Sequence, residues 1–373
     1  MKILVTSCPN QGHFYPMIPL LWALRSAGHH VVVALPDSMA GVAARAGLSS
    51  VSLGADVSLS ELAPDHATRP AQRAGAESLA DHVASYYVPL AHRVIDAVDA
   101  VTRRFRPDLL LHTSWEYAGP VVAARHGIPR IKHGWGLTLP PEVDAESDRR
   151  LAPLYGAWGR PNPPQWWVDV CPPSLQTGTP ECPSLPMTWL PFNGSAVLLE
   201  WLLDESARPR VAVTLGNVPI SGDHDSVLSR TLTALSDVDV EVVVAAGSGL
   251  HCADVPSNVR VVPGVPLHDL MRTSSVAITH GGAGSVFAAL ANGLPQLVLP
   301  QMCVHFEHGD RIAQAGAGIC LHPGESGAEN VREAVLGLLN TPHARRKAEE
   351  LRGENAGLLS PSEVVAQLQG VLA

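Results

Sequence analysis

The sequence predicts an α/β protein with two domains, each built on a parallel sheet with crossover helices. Three observations support this prediction. First, the chain has 373 residues, which is long for a single core and suits two domains of ordinary size. Second, apolar β-branched runs alternate with segments of helical period in both halves of the chain. Third, a proline-rich stretch interrupts this alternation, which then restarts near residue 209.

The elements of the first half follow one another as strand, helix, strand and helix. A strand in KILVTS precedes a helix in PLLWALRSAG, which ends at Gly28, a typical C-cap residue. The pattern repeats in HHVVVAL and SMAGVAARAGL, and later strands are predicted in RPDLLLHTS and PRIKHG. The segment from 56 to 106 is predicted to be mostly helix and loop.

Between residues 140 and 191 the sequence is rich in proline and tryptophan. Proline lacks a backbone donor and disfavours a central strand, so we expect loops packed on a domain surface. This interpretation leaves the tryptophans unexplained, because exposed tryptophan is costly. The alternative is that Trp158 and Trp166 help to wall an apolar pocket for a planar ligand.

A second α/β domain is predicted from RPRVAVTLGN onward. Strands are expected in VEVVVAAG, NVRVVPGVP, SVAITHGG and PQLVLP, with helices in VLSRTLTAL, in LHDLMRTS and from Ser285 to Asn292. A last amphipathic helix is predicted at about 361–373. The two domains are therefore assigned to residues 1–192 and 193–373, with a linker near 191–209. Open parallel sheets bind ligands at the carboxyl ends of their strands, so we expect the two sheets to face one cleft.

The composition excludes several classes of protein. The formal net charge of −9 and the pI near 6.0 disfavour a nucleic-acid-binding protein, which needs a basic face. Pro9 stops the amino-terminal apolar run before a signal-peptide core forms, and we expect no membrane helix. The six cysteines have no CxxC spacing, so neither a metal site nor a disulfide framework is predicted. We therefore expect a cytoplasmic protein.

The segment THGGAGS, residues 279 to 285, places a histidine and three glycines between a strand and a helix. The first amides of a helix lack partners within it, and glycines let a phosphate come close to them. His280 and Ser285 can add side-chain hydrogen bonds. The alternative is a turn that needs glycine only for its backbone geometry. Since the GxGxxG motif and the Walker lysine are both missing, the pattern predicts a phosphate or diphosphate site and no more.

The longer run HGGAGSVFAALANGLPQLVLP, followed by RIAQAGAGICL, resembles the donor-binding segment of the GT-B nucleotide-sugar glycosyltransferases. It looks like the actinobacterial enzymes that glycosylate polyketide and other antibiotic aglycones. GHFYPMIPL is similar to the GHxxP acceptor-side motif of that family, and DVCPPSLQ resembles a phrase found in some members. The resemblance covers nearly the whole chain. It implies the GT-B fold, in which two Rossmann-like domains face each other across a cleft.

The resemblance also implies a donor site. His280 and nearby amides would bind the diphosphate, and the loop PGVPLHD would bind the nucleobase, although Gly264 stands where many members have a stacking tryptophan. Neither a metal nor a cofactor beyond the nucleotide-sugar substrate is expected, because the helix terminus takes the place of the metal. The residues implied for this site are Gly216, Asn217, Val265, His280, Gly281, Gly282, Gly284 and Ser285.

Members of the family usually recognise sugar hydroxyls with an Asp-Gln pair, and this chain has Val304 and His305 at the matching positions. An apolar residue there leaves a sugar hydroxyl without a partner, which costs ~1–3 kcal/mol. A donor that lacks the hydroxyl avoids this cost. We therefore predict a deoxysugar donor with TDP as its nucleotide.

His13, in the GHxxP-like motif, is the candidate general base. Its ordinary pKa of about 6.5 leaves it mostly neutral at pH 7 and able to accept a proton. In the resembling enzymes an aspartate orients this histidine, but Thr113 occupies that position here, and Glu116 is the candidate substitute. The missing aspartate favours a phenolic acceptor, with a pKa of about 10. The acceptor-binding residues are predicted to be Gly12, Phe14, Pro16, Trp135, Trp158 and Trp166.

These residues together predict an inverting glycosyltransferase that moves a deoxysugar from a TDP donor to an aromatic polyketide-like aglycone. Its partners are these two small molecules, with neither nucleic acid nor membrane, and a homodimer is one option for its assembly. One alternative is a nucleotide-sugar epimerase or hydrolase on the same scaffold, which needs no aromatic acceptor wall. Another is a catalytically silent accessory protein, which Thr113 and the altered Val304-His305 pair would allow. The sequence leaves the aglycone, the sugar and the attacking atom, oxygen or carbon, open.

Overall fold

A computed structural model describes residues 1–54, 61, 76–178, 182–204, 206–216, 224–246 and 255–372. The described residues form two compact units. The first unit comprises the residues up to Gly194 and those from Gly357 onward, and the second comprises Ser195 to Ala356. Each unit contains one parallel sheet, as the alternating sequence pattern predicts.

The first unit has a seven-stranded parallel sheet with the order β3-β2-β1-β4-β5-β6-β7. Its strands are β1 (Lys2–Thr6), β2 (His30–Leu35), β3 (Ser49–Ser52), β4 (Leu109–Thr113), β5 (Arg130–His133), β6 (Trp166–Asp169) and β7 (Ser184–Pro186). Its first seven helices are α1 (Gln11–Phe14), α2 (Ile18–Ser26), α3 (Asp37–Arg45), α4 (Ala76–Phe105), α5 (Ala118–His126), α6 (Pro141–Arg150) and α7 (Ala152–Trp158). A short 3₁₀ turn, Tyr15–Met17, joins α1 to α2.

The second unit has a six-stranded parallel sheet with the order β10-β9-β8-β11-β12-β13. Its strands are β8 (Arg210–Thr214), β9 (Glu241–Ala246), β10 (Val259–Pro263), β11 (Val276–Thr279), β12 (Gln296–Val298) and β13 (Gly318–Cys320). Its helices are α8 (His224–Leu235), α9 (Leu267–Arg272), α10 (Ala283–Ala291), α11 (Cys303–Gln314), α12 (Ala328–Asn340) and α13 (Pro342–Ala356). Valines and leucines of the central strands pack against α8 and α12 to form one core.

The last helix, α14 (Pro361–Leu372), belongs to the first unit. It packs on α2, where the Gln369 amide nitrogen lies 3.0 Å from Nε2 of His29. Just before it, Leu359 pairs with Met187 beyond the end of β7. Residues 193–373 were predicted to form one domain, whereas those from Gly357 onward join the first unit. Amphipathic periodicity reveals that a helix has an apolar face, but it does not tell which core that face covers.

The proline-rich stretch from 140 to 191 contains two helices and two strands rather than loops alone. Proline occupies the first turns of α6 and α7, where its missing N–H has no intrahelical acceptor in any case. Strands β6 and β7 lie at one side of the sheet, and Pro186 ends the edge strand, where prolines are tolerated. The first turn of a helix and the end of an edge strand both tolerate proline, so the expectation of loops was wrong for this stretch.

The strand order places the candidate residues at the carboxyl ends of central strands. In the first unit β1 pairs with β4, and the loops that follow these strands carry His13 and Glu116. In the second unit Thr214 of β8 lies opposite Thr279 of β11, and the following loops carry Gly216 and His280. Among the helices that the structure describes, none has both the length and the apolar character needed to cross a membrane.

Candidate active site

The glycine-rich loop of the second unit begins where β11 ends, at the buried Thr279. His280 follows it with only 9% of its surface exposed, and its Nδ1 lies 3.5 Å from the Thr214 carbonyl oxygen of the neighbouring strand. Gly282 is the N-cap of α10, and its backbone is extended. The imidazole is therefore fixed at the point where the strand gives way to the helix, as the sequence pattern predicts.

Three glycines of this site make room for neighbouring histidines. A Cβ atom on Gly282 would lie 2.4 Å from Nε2 of His280, and one on Gly216 would lie 2.8 Å from the same atom. A Cβ on Gly281 would lie 2.6 Å from the carbonyl oxygen of His305. Gly216 and Gly281 also have positive φ angles, of 88° and 91°, which side-chain-bearing residues rarely adopt. Backbone geometry and close packing around the imidazoles therefore both require glycine here.

The start of α10 presents unpaired backbone donors. The amides of Ser285 and Val286 both donate to the Gly282 carbonyl oxygen at 3.0 Å. Within the described protein, the N–H groups of Ala283 and Gly284 make no hydrogen bond. Free amides in the first turn of a helix, supported by the helix dipole, favour an anion such as a phosphate.

Two further histidines of α11 surround this loop. The His305 ring lies 4.5 Å from the His280 ring, edge to face. His308 donates from Nδ1 to the Gly281 carbonyl oxygen at 2.8 Å and thereby ties α11 to the loop. Burial lowers the pKa of His308 to about 4, while the pKa of His305 is lowered by burial and by the neighbouring His280 and His308. Both rings are therefore neutral at pH 7.

The other predicted donor residues lie on the same edge of the second sheet. Val304 is half-buried in the first turn of α11, directly before His305. Val265 is 9% exposed and follows β10, just after Gly264 with its φ of 66°. Asn217 lies outside the described residues. His308 was not predicted, since nothing in the local pattern distinguishes it from a surface histidine of a helix.

His13 of the first unit lies in the short helix α1 after β1. The Asn10 side chain caps this helix by accepting from the Gly12 amide at 2.8 Å, which holds the turn that carries the histidine. His13 is 5% exposed, and Phe14 and Pro16 beside it are buried. Capping and apolar packing thus fix the imidazole at the carboxyl end of the sheet.

Three aromatic side chains, which we call the aromatic enclosure, surround His13: Tyr87, Trp115 and Trp135. Their ring centroids lie 5.5, 5.4 and 4.8 Å from the imidazole centroid. The Tyr87 phenol oxygen lies 3.2 Å from Nε2 of His13. Trp115 has a φ of 69°, a left-handed conformation that bulky residues rarely adopt, and it follows β4 directly before Glu116. Strained backbone of this kind often marks a functional site.

The enclosure sets the charge of His13. Burial lowers its pKa to about 4, and the Ser114 carbonyl opposes part of this shift. Nδ1 makes no hydrogen bond of normal geometry and is buried. Because the Ser114 carbonyl can only accept, the neutral ring is favoured with its proton on Nδ1, which leaves the Nε2 lone pair to accept from Tyr87. The imidazole of His13 is therefore neutral at pH 7.

Glu116 does not orient His13, although it was the candidate for this role. Its carboxylate accepts from the Thr6 hydroxyl at 2.5 Å and from the Gly119 amide at 2.9 Å. Burial raises its pKa. The Thr113 hydroxyl donates to the Ser7 hydroxyl oxygen at 3.4 Å, so Thr113 is directed to Ser7 and not to His13. The carboxylate faces α5 because the first-turn amides of that helix and a hydroxyl of β1 satisfy it better than an imidazole in an apolar enclosure would.

The predicted acceptor residues divide into two groups. Trp135 belongs to the aromatic enclosure and contacts His13. Gly12, Phe14 and Pro16 lie beside His13 in the sequence. Trp158 instead stacks on the Arg125 guanidinium at 4.6 Å, at the end of α7. Trp166 is the first residue of β6, opposite Ile131, and so lies at the amino edge of the sheet, whereas His13 follows a carboxyl end. Tyr87 and Trp115, which sequence reasoning missed, take their place beside His13.

The DVCPPSLQ segment forms a local hydrogen-bonded unit at the carboxyl end of β6. The Asp169 carboxylate accepts from the Cys171 amide at 3.0 Å and from the Gln176 side chain at 2.9 Å. Burial raises the Asp169 pKa to about 6. Gln176 in turn accepts from the Thr138 amide at 2.7 Å. These bonds tie the segment to the loop that follows Trp135.

Comparison with known proteins identifies the family. The erythromycin biosynthesis protein CIII-like N-terminal domain matches residues 22–216, and the corresponding C-terminal domain matches residues 229–371. The L-demethylnoviosyl transferase of Streptomyces niveus is 35% identical over 99% of this chain and 97% of its own length. The aclacinomycin-T 2-deoxy-L-fucose transferase of Streptomyces galilaeus is 31% identical over 100% of this chain and 96% of its own length.

Solved structures agree with this assignment. Spinosyn rhamnosyltransferase SpnG in complex with thymidine diphosphate has a TM-score of 0.88 at 27% identity, covering 99% of this chain and 100% of its own. The same enzyme complexed with spinosyn aglycone gives the same TM-score. The predicted GT-B fold of two Rossmann-like domains and the predicted glycosyltransferase activity are thereby confirmed. This chain belongs to the erythromycin biosynthesis protein CIII-like family of GT-B glycosyltransferases.

Proposed function

We propose that this enzyme transfers a deoxysugar, with inversion at the anomeric carbon, from a TDP-linked donor to an aromatic polyketide-like aglycone. In this proposal the second unit binds the donor and the first binds the aglycone. The observation that carries it is the glycine-rich loop, where His280 and the unpaired amides of Ala283 and Gly284 stand at one helix start. Such a group of donors suits a diphosphate that gains charge as it leaves.

The nucleotide assignment rests on the similarity to SpnG, whose solved complex contains thymidine diphosphate. The amides at the start of α10 and the His280 imidazole would hold the leaving diphosphate. His308 would act indirectly, because its hydrogen bond to the Gly281 carbonyl fixes the loop. The added negative charge on the leaving group is stabilised most in the transition state, so these donors favour bond cleavage as well as binding.

The deoxysugar assignment rests on Val304 and His305. Val304 offers no hydrogen-bonding group, and His305 is 6% exposed, with a ring held against His280. A sugar hydroxyl that met this pair would lose its water without gaining a full set of partners. Two similar enzymes are named for transfer of 2-deoxy-L-fucose and L-demethylnoviosyl groups.

For the acceptor we propose that Tyr87 and His13 remove the proton together. The aglycone hydroxyl donates its proton to the Tyr87 oxygen while Tyr87 donates its own to Nε2 of His13, 3.2 Å away. The aglycone oxygen then attacks the anomeric carbon as the bond to the diphosphate breaks. Tyr87 ends neutral, and the only new cation is the His13 imidazolium.

The aromatic enclosure would then stabilise the His13 imidazolium, a role that an aspartate has in the resembling enzymes. An imidazolium among aromatic rings gains ~0.5–2 kcal/mol per well-placed ring from the ring quadrupoles. Trp135, at 4.8 Å between centroids, lies nearest to His13. The Ser114 carbonyl, which favours the charged form of His13, would add to this stabilisation. Since no carboxylate among the described residues supports the base, a phenolic acceptor is favoured over an alcohol.

Incubation with a panel of TDP-deoxysugars and aromatic aglycones, followed by mass spectrometry, tests this function. We expect the aglycone mass to increase by one dehydrated deoxysugar, with TDP released only when aglycone is present. Glycosidic inversion is read from the anomeric coupling constant of the product. Donor consumption without aglycone would overturn the proposal in favour of a hydrolase or epimerase, and absence of turnover across the panel would favour a silent protein.

A further inference from the structure

The second unit contains a cluster of three different metal-ligand types: Asp310, Cys320 and His322. Each offers one ligand atom, and the three atoms lie within 4.8 Å of one another. Asp310 Oδ1 is 2.9 Å from His322 Nε2, and Cys320 is not part of a disulfide. The Asp310 and His322 side chains are 17% and 27% exposed, so solvent can reach them but does not surround them.

The fold brings these groups together from three elements. Asp310 lies in α11, Cys320 ends β13 and His322 lies two residues beyond it. Two residues apart in extended chain, Cys320 and His322 fall on the same side. Gly309 allows the close approach of α11, because a Cβ on it would lie 2.6 Å from the Cys320 sulfur.

The His322 ring is held in place before any ligand arrives. Its centroid lies 5.3 Å from that of Phe306, edge to face, and its backbone amide donates to Glu325 Oε2 at 3.0 Å. Nε2 is directed at Asp310. The Cys320 sulfur lies beside this Asp–His pair, so oxygen, nitrogen and sulfur ligand atoms are found together at one place.

We propose that Asp310, Cys320 and His322 bind one Zn²⁺ ion. Imidazole nitrogen, thiolate sulfur and carboxylate oxygen are the three donors that zinc takes in proteins, and a water molecule completes the tetrahedron. Binding replaces the proton that His322 shares with Asp310, and it releases the thiol proton of Cys320. We assign the ion a structural role and no part in the sugar transfer.

The ion would link α11 to the segment after β13. The first turns of α11 carry His305 and His308, which contact the glycine-rich loop through Gly281. Zinc binding would therefore stabilise the second unit and the helix on which the donor loop rests. A ligand that binds only the folded state raises the melting temperature, and the stabilisation grows with the logarithm of the ligand concentration once this exceeds Kd.

The test uses the full-length protein, stripped of metal with a chelator and titrated with Zn²⁺ by calorimetry and with Co²⁺ by absorption spectroscopy. We expect one equivalent to bind, with a thiolate-to-cobalt charge-transfer band and tetrahedral d–d bands. Cys320→Ser and Asp310→Asn should each weaken binding at least ~10-fold. Cys182→Ser is the matched control, because Cys182 is also a partly buried cysteine outside any disulfide but lies in the first unit.

Alkylation gives a second measurement that does not depend on variants. Zn²⁺ should protect Cys320 from a thiol reagent in wild-type protein, as mapped by peptide mass spectrometry, while Cys182 reacts equally with and without the metal. Cobalt binding without a thiolate band, or equal metal affinity in wild type and Cys320→Ser, would overturn the proposal. Circular dichroism of each variant confirms that it is folded, and loss of glycosyl transfer is not a readout here, so this test is independent of the proposed function.

Discussion

Nε2 of His13 lies 3.2 Å from the Tyr87 phenol oxygen, although 74 positions separate the two residues. Tyr87 belongs to α4, and Trp115 and Trp135 close the remaining sides of the imidazole. A base in this setting stays neutral because burial disfavours its cation. When His13 accepts a proton, however, the imidazolium lies against the same aromatic rings, which can stabilise it. Within the described part of the chain, the imidazole of His13 therefore has aromatic neighbours rather than a carboxylate beside it.

Substitution of His13 by alanine should lower kcat by ~10²–10⁴-fold, which is the usual contribution of a general base. The KM for the donor should change little, because His13 belongs to the first unit. Turnover of the best TDP-deoxysugar and aglycone pair is the measurement. His92→Ala, at an exposed position of α4, is the control and should keep wild-type turnover. Equal activity of both variants with a hydroxyl acceptor would exclude the role of base.

Replacement of Tyr87 by phenylalanine removes one hydroxyl and keeps the ring of the enclosure. If Tyr87 relays the proton, kcat should fall ~10²-fold or more with little change in KM for the aglycone. Tyr86→Phe is a matched control, because Tyr86 precedes Tyr87 in the chain and packs against it at 4.7 Å between centroids. Comparable kcat values for Tyr87→Phe and wild type would show that Tyr87 contributes shape alone.

The donor loop is tested most sharply at Gly282. A methyl group there would meet His280 Nε2 at 2.4 Å and force the imidazole to move. Gly282→Ala and His280→Ala should therefore both weaken TDP binding, by ~10-fold or more, as measured by calorimetry. Gly337→Ala in α12, where an added Cβ meets nothing within 4 Å, should bind TDP as wild type does. Unchanged affinity in His280→Ala would remove His280 from the diphosphate site.

Sugar preference is tested at the two altered positions of α11. The double substitution Val304→Asp and His305→Gln supplies the hydrogen-bonding groups that a fully hydroxylated hexose requires. The ratio of kcat/KM for TDP-glucose to that for a TDP-deoxysugar should rise roughly tenfold or more. Val304→Leu keeps the position apolar and should leave the ratio unchanged. If the double variant and Val304→Leu give the same kcat/KM ratio, these two positions do not determine the preference for the sugar.

Acid should destabilise the protein through its buried histidines. Burial lowers the pKa of His133 from 6.5 to about 4, as it does for His13 and His308. A depressed native pKa means that the unfolded chain takes up the proton first, so stability is full above pH 6.5 and is lost as pH falls toward 4. Between pH 7 and 5 one such histidine should remove about 2 kcal/mol.

Urea unfolding at pH 7 and pH 5 measures this loss. His133→Gln has no titrating group and should lose about 2 kcal/mol less than wild type over that range. His343→Gln, at an exposed position of α13, is the control and should lose as much as wild type. The same pH dependence in His133→Gln and wild type would contradict a depressed pKa at His133.

Local signals were enough to predict the donor loop. An apolar strand, a histidine, three glycines and a helix start within ten residues, and each of these features acts through its immediate neighbours. The sequence predicted that the glycines admit a phosphate, but it did not predict that they make room for His280. The close approach of Gly216 and Gly282 to His280 involves a second strand. His308 could not be predicted, since its hydrogen bond to Gly281 spans 27 positions.

The surroundings of His13 were predicted less well. Glu116 is only three residues from Thr113 in the sequence, and that nearness made it the candidate partner of His13. The structure directs Glu116 to Thr6 and Gly119 and brings Tyr87 to His13 instead. Similarly, Trp158 and Trp166 fell within a stretch with an unusual composition, but composition does not tell which edge of a sheet a residue occupies.

By itself the sequence determined the two parallel sheets and the strand ends that carry His13 and His280, because periodicity and glycine positions act over short distances. Only the tertiary structure decided which side chains surround these histidines and which unit the last helix joins. It also decided that Asp310, Cys320 and His322 meet. The physical reason is that burial, which sets the protonation of His13, comes from residues far apart in the chain, and their packing leaves no local pattern to read.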